Sequence, residues 1–388
     1  MKNRQSGFTM VELLITMAVF VLTIAAVAGI FVPLLTQFKQ QSKIAETQIE
    51  GLVGLGILRR DIEHAGFGIP WEIQTGVTYQ EAANAPGSTY NEPTAGGTTA
   101  PPRAILSGND IAIAGIVNRS DYLVIKATNV APFNAATKWT DVLTMPDGSR
   151  RVRVWGSAIE DLNANDRVIV MIPSLGETRQ RILVNDGATF FTRFNQAAFP
   201  AAFAAGTTGA VNLVYGVTDP DNTPLRMPFN RADYFIRTGN APQRCAPNTG
   251  VLVKAVLRQA DGVYDEWPLL DCVADMQFVY CIDNDNDGDC EPGAAGSTDF
   301  YTNDLPGLGY DAQQTRTRVK EVRAFILAHE GQRDWTYTFA PPVAPNSITV
   351  GEFGLGRNFN LATSIGTGWQ NFRWKVFSLV IQPRNLMR

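Results

Sequence analysis

The sequence predicts an α+β chain. One long N-terminal α-helix, membrane-spanning in its first half, should pack on an antiparallel, β-rich globular head. Three observations carry that expectation. Residues 8–35 form a nearly unbroken apolar run, and a polar stretch with apolar residues at helical spacing follows it to about residue 66. Beyond residue 104, short runs rich in Val, Ile and Tyr alternate apolar and polar positions, as half-buried strands do. Finally, 45% hydrophobic and 18% charged residues across 388 positions suffice for a substantial core.

The first element is the helix. Phe8 to Leu35 spans 28 residues with one charge, Glu12. As a helix it would be about 42 Å long, more than the roughly 30 Å of a bilayer's hydrocarbon layer. Lys2 and Arg4 precede it and place its start on the cytoplasmic side. Pro33 should kink or loosen it. Leu52, Leu55, Leu58 and Ile62 form the expected buried stripe. Gly51, Gly54 and Gly56 suit either helix–helix packing or close approach to a sheet, and the second is expected. Gly66, Gly68 and Pro70 should stop the helix, with His64 as a C-terminal cation on its dipole.

Glu12 is the feature a plain membrane anchor does not explain. A lone carboxylate in a membrane helix costs about 2.5–3.5 kcal/mol unless paired. Cutting the chain between Gly7 and Phe8 would supply a partner, because the new α-amino group of Phe8 carries a positive charge at a similar depth. Glu12 of one subunit can then neutralise the amine of a neighbour. The run Ser6-Gly7-Phe8-Thr9-Met10-Val11-Glu12-Leu13 resembles the class III signal of type IV prepilins. That resemblance implies a leader at 1–7, cleavage by prepilin peptidase after Gly7 and N-methylation of Phe8. It also implies a long helix at 8–66, membrane-spanning at 8–35, and a pilin-type head at 67–388. The implied path runs from the inner membrane, with the head in the periplasm, to the pilus or cell surface. Implied partners are other major and minor pilins and the pilus assembly machinery. Loss of Lys2 and Arg4 takes the side-chain charge from −4 to −6.

Residues 81–103 are rich in Gly, Thr, Ala, Pro and Asn and read as a loop with nothing to bury. Strands are expected at 110–114, 122–125, 152–155, 167–172, 234–237 and 251–257, and a loop or short helix at 196–210. The head is either one unit or two subdomains, about 67–230 and 231–388. The segment Arg59 to Gly68, the run Asp271 to Tyr280 and the closing Asn371 to Ser378 with Arg384-Asn385-Leu386 resemble PilW-like minor pilins. Thr315 to Arg323 alternates charge with apolar residues and reads as a strand with a basic, solvated face.

Four cysteines, Cys245, Cys272, Cys281 and Cys290, in an exported head suggest two disulfides. Three pairings exist; Cys281–Cys290, closing a short loop, and Cys245–Cys272, joining two strands, are expected. Between the last two cysteines, Asp283, Asp285, Asp287 and Asp289 alternate with Asn284, Asn286 and Gly288. With Glu291 they match the first half of a calcium loop, although Ala294 stands where a bidentate Glu belongs. Calcium and a metal-free Asx-rich turn both remain open readings. No cofactor is expected to be required.

No long basic run accompanies the net charge of −4, so nucleic-acid binding is not expected. With two histidines and no phosphate loop, nucleophile elbow or HExxH, an enzyme is not expected. The function implied is a minor pilin in pilus assembly. The alternatives are a type II secretion pseudopilin and a calcium-dependent adhesin that uses the prepilin signal for export.

Overall fold

The computed structural model describes residues 9–174, 180–220, 224–342 and 345–386. Helix α1 runs unbroken from Met10 to Glu63, across position 33, where a kink was expected. Among the described residues, its segment Met10–Phe31 touches nothing else in the chain. The second half of the helix lies on the head, and the residues it buries are Thr47, Gly51, Gly54, Leu55, Leu58, Asp61 and Ile62. Those positions recur every three or four residues, which is one helical face. Leu52 does not belong to it: it is 78% exposed, because its position turns it to the opposite side.

Among the described residues the head holds an eight-stranded and a six-stranded antiparallel sheet. The larger contains β1 (Ile105–Gly108), β2 (Tyr122–Ala127), β3 (Asn230–Arg237), β4 (Gly250–Leu257), β5 (Tyr264–Ile282), β6 (Phe300–Thr302), β7 (Val319–Glu330) and β8 (Arg373–Ile381). Its order is β8-β7-β5-β4-β3-β2-β1, with β6 pairing off β5. It therefore draws strands from both sides of residue 230. The smaller sheet runs Arg150–Val152, Trp139–Thr144, Val211–Thr218, Arg167–Ser174 and Gln180–Leu183, with Thr192–Arg193 beside Arg167–Ser174.

Period-two alternation joins the two sheets. Along one strand, Val168 and Val170 face a local core with Phe199 and Phe203. Ile169 and Met171 face the main core, with Leu58 and Ile62 of α1 and Leu123 and Ile125 of β2. Burying each such aliphatic side chain contributes about 1.5–3 kcal/mol. The second half of α1 thus sits in the main core, not on its surface.

Four expected elements differ, one of them the strand expected at 152–155, which instead spans Arg150–Val152. Residues 110–114 are not a strand; the strand is Ile105–Gly108, and the chain then turns back into β2. Thr315–Arg323 is not all strand. Asp311 caps a helix, α2 (Ala312–Arg318), through a reciprocal box with Gln314, and the strand begins only at Val319. The 81–103 segment is no idle loop, because it carries Glu81 and Glu92 into the interior.

Candidate functional site

Gly7 and Phe8 lie outside the described residues. The structure begins at Thr9, which caps α1. The Thr9 backbone N–H donates to Glu12 Oε2 at 2.9 Å, and the Glu12 N–H donates to Thr9 Oγ1 at 3.3 Å. This is a capping box, and its Thr-x-x-Glu signal was present in the sequence but overlooked. Within one chain Glu12 is therefore held by the first turn, which fixes its carboxylate at the helix N-terminus. Past it, Met10–Phe31 is a 22-residue apolar segment with none of its surface buried by the chain. At 1.5 Å per residue it is about 33 Å long, the thickness of a bilayer's apolar layer.

The opposite end of α1 is built to hold the head. Asp61 is buried and takes hydrogen bonds from both Lys254 Nζ on β4 and Tyr234 Oη on β3. Gly54 lies so close to β5 that a Cβ there would stand 2.0 Å from the Leu269 carbonyl oxygen. A Cβ at Gly51 would meet Phe377 at 3.6 Å, an ordinary contact, and one at Gly56 would meet nothing within 4 Å. The sheet-packing expectation thus applies to Gly54 and Gly51, and Gly56 faces away from the sheet. Further down, Thr47 Oγ1 accepts from the Gly331 N–H at 3.3 Å. At the top, His64 Nδ1 lies 2.8 Å from the Arg60 carbonyl, and the Arg384 N–H donates to Glu63 at 2.9 Å.

A buried ionic cluster fixes the 81–103 segment to the sheet. Lys126 Nζ lies 2.9 Å from Glu81 and 2.7 Å from Glu92. Arg231 reaches Glu81 at 2.9 Å and Asp233 at 2.8 Å, and Arg103 reaches Glu92 at 2.9 Å. Three cations thus face three carboxylates. Burial alone would raise the Glu81 carboxyl, but Lys126 and Arg231 hold it below the usual range. Sequence pattern gave no hint of this cluster, since Glu81 and Arg231 lie 150 residues apart.

The four cysteines form two disulfides, Cys245–Cys272 and Cys281–Cys290. Cys272 and Cys281 both lie on β5, so each bond ties a neighbouring loop to that long strand. Cys281–Cys290 closes the base of the acidic loop. There the predicted ligands divide into two groups: Asp283 and Asp285 gather with Asp299, while Asp287, Asp289 and Glu291 form a separate, exposed set. Asp283 accepts N–H bonds from Asn286 and Gly288 and lies 3.2 Å from Lys320. Asn286 and Gly288 adopt φ of 63° and 111°, which the short polar side chain of Asn and the missing Cβ of Gly permit. Burial would raise Asp299, but N–H bonds from Glu291 and Asn284 outweigh it and hold the carboxyl low. A cation entering at Asp283 and Asp299 would compete with these N–H donors and with Lys320, whereas Asp287, Asp289 and Glu291 lie exposed beside them.

Residues 2–28 match the family model described as the prokaryotic N-terminal methylation motif. No curated protein and no solved structure matches the chain. Proteins with this motif are structural rather than enzymatic, and the motif with one apolar helix is consistent with membrane anchoring. The motif indicates a type IV pilin-class protein, one processed by prepilin peptidase and assembled with other pilins.

Proposed function

We propose that the chain is a PilW-like minor pilin of a type IV pilus, acting in a priming or tip complex. One observation carries the reading: a methylation-motif helix whose first 22 described apolar residues are bare, fused to a large folded head. Bare apolar surface needs either lipid or the helices of other subunits, and the motif supplies the route to both. The mechanism has no turnover. Cleavage after Gly7 exposes the Phe8 amine, and Glu12 exchanges its bond to Thr9 for that amine on a neighbouring subunit. The head is larger than a repeating subunit requires, which favours a place at an end of the filament.

Mass spectrometry of the mature N-terminus tests the class: N-methylated Phe8 is expected, and an intact Met1 in functioning cells would end the proposal. A pseudopilin of a type II secretion system would share that N-terminus. Deletion in the native host separates the two, since loss of piliation with normal exoprotein secretion is expected here.

A further inference from the structure

We propose that the base of the head, at Trp335 and Arg333, is a docking surface for the lipid headgroups of the membrane that α1 enters, anionic ones above all. The inference rests on the reading that Met10–Phe31 crosses a bilayer, and it adds a second contact outside that segment. Helix geometry sets the level. The apolar run ends at Leu35, and Gln40 is the first described residue of α1 that the head partly covers. That is about 7.5 Å of helix, while a headgroup layer is about 5–7 Å deep on each side of the apolar core. The head therefore begins at the outer limit of the headgroups. One loop brings it there. β7 ends at Glu330, and Gly331 adopts a φ of 68° against α1, where a Cβ would stand 3.0 Å from Ile44. The loop then runs back toward the span, because Trp335 and Gln40 line one cleft of about 610 Å³. Asp334 shapes its tip. This buried residue donates its N–H to the Asn371 carbonyl at 2.8 Å, and its carboxylate accepts from the Thr336 N–H at 3.0 Å and from Arg373 Nη2 at 2.7 Å. The resulting Asx turn leaves Trp335 outside. At 74% it is the most exposed aromatic side chain among the described residues.

A bare indole is best placed at the boundary of lipid and water, where its apolar body and its polar N–H are both served. Phe38, also exposed, lies on α1 between Leu35 and Gln40, so two bare aromatic rings stand near one depth. Cations accompany them. Arg333 Cζ lies 3.7 Å from the centre of the Trp335 ring, and Arg333 Nε is buried with no partner among the described residues. Lys39 is exposed beside Phe38. Other charges at this end of the head are matched: Lys43 with Glu46 at 2.5 Å, Arg244 with Asp271 at 2.8 Å and Arg373 with Asp334 at 2.7 Å. Arg333 and Lys39 thus leave the base positive. Aromatic rings with surplus Lys and Arg at headgroup depth are what an anionic lipid surface binds. A protein partner would require no such match between the loop's level and the end of the apolar run.

The test uses the full chain in vesicles of phosphatidylcholine, with or without phosphatidylglycerol, whose acyl chains carry bromine close to the headgroup. Trp335 emission is read as the difference between the parent chain and Trp335→Phe, and alkaline extraction checks separately that α1 is inserted. Bromine should quench the Trp335 emission at least about twofold. In phosphatidylglycerol vesicles Arg333→Glu should lower the docked-to-free ratio at least about fivefold, and Lys39→Glu, on the exposed helix surface, should act in the same direction. An inserted chain whose Trp335 is unquenched would overturn this proposal alone. A chain that fails to insert would overturn it together with the membrane reading. Quenching indifferent to lipid charge and to both substitutions would overturn the preference for anionic headgroups, and shielding of Trp335 only in assembled filaments would make the surface a subunit contact instead.

Discussion

The two halves of α1 belong to one helix and have opposite surroundings. From Met10 to Phe31 every residue is exposed and all but a few are apolar. From Thr47 to Ile62 one face is buried, and it includes a carboxylate, a threonine and two glycines. The half with the most apolar surface buries none of it within the chain, and the half with mixed composition is the one that folds. Burial in this molecule therefore follows shape and pairing as much as hydrophobicity. A glycine that admits a carbonyl and an aspartate that meets a lysine fix where the helix docks. The bare half carries only Glu12 as a specific group.

The largest effect is expected at Asp61. Asp61→Ala would leave Lys254 buried without its partner, and losing one member of such a pair costs about 3–5 kcal/mol. Denaturant unfolding of the full chain in micelles should show that loss, while membrane insertion stays intact. A loss under about 1 kcal/mol would mean the docked half is held by apolar contacts alone. Next come two glycines with opposite signs. Gly54→Ala forces a Cβ onto the Leu269 carbonyl and should cost about 1–3 kcal/mol. Gly56→Ala meets open space and should gain up to about 1 kcal/mol of helix propensity. Equal effects would remove the distinction between the helix faces.

The pH dependence of stability should come from the head. Burial pushes the Asp121 carboxyl up to about 8, despite N–H bonds from Asp110 and Phe278. A folded-state value above the unfolded one means the native state holds the extra proton. That stability is complete below about pH 4 and drains as pH rises toward 8. His329 acts the other way: burial lowers it to about 3, so acid below about pH 6.5 costs stability. Asp121→Asn should flatten the fall in melting temperature between pH 5 and 8, and an unchanged slope would reassign it. Glu12→Ala should leave head unfolding unchanged, since Glu12 touches only Thr9, yet lower incorporation into filaments. Normal incorporation at native abundance would remove the charge-pair mechanism. Smallest of all is calcium: millimolar Ca²⁺ should move the melting temperature by less than about 2 °C, because Lys320 and backbone N–H groups already serve the loop. A saturable, chelator-reversed rise beyond that would make the loop a metal site.

Local signals carried the fold class and the helix. The apolar run, the stop at Gly66 and Gly68 and the strands at β2 to β4 all follow from period and propensity. What escaped the sequence has two physical sources. Some signals were short and were read for the wrong purpose: Thr9 with Glu12 and Asp311 with Gln314 are capping boxes, and the second turned an expected strand into α2. Others exist only in three dimensions. Nothing near Glu81 announces Arg231, and nothing near Asp61 announces Lys254. Leu52 shows the same limit, since it stands one position past the buried Gly51 and the helical phase points it at solvent.

The strands beneath α1 are β5, β7 and β8, and the chain end returns to it, with the Arg384 N–H on Glu63 and Leu386 beside Gly66. A polypeptide threaded outward from its N-terminus delivers the helix first and the platform for it last. Leu58 and Ile62 meet Leu123 and Ile125 of β2 early in the chain, but the face at Gly51 and Gly54 stays uncovered until β5 and β8 are made. The docking face of the helix is thereby the last part of the head to close, and a partly made chain declares itself by the bare helix backbone at Gly54.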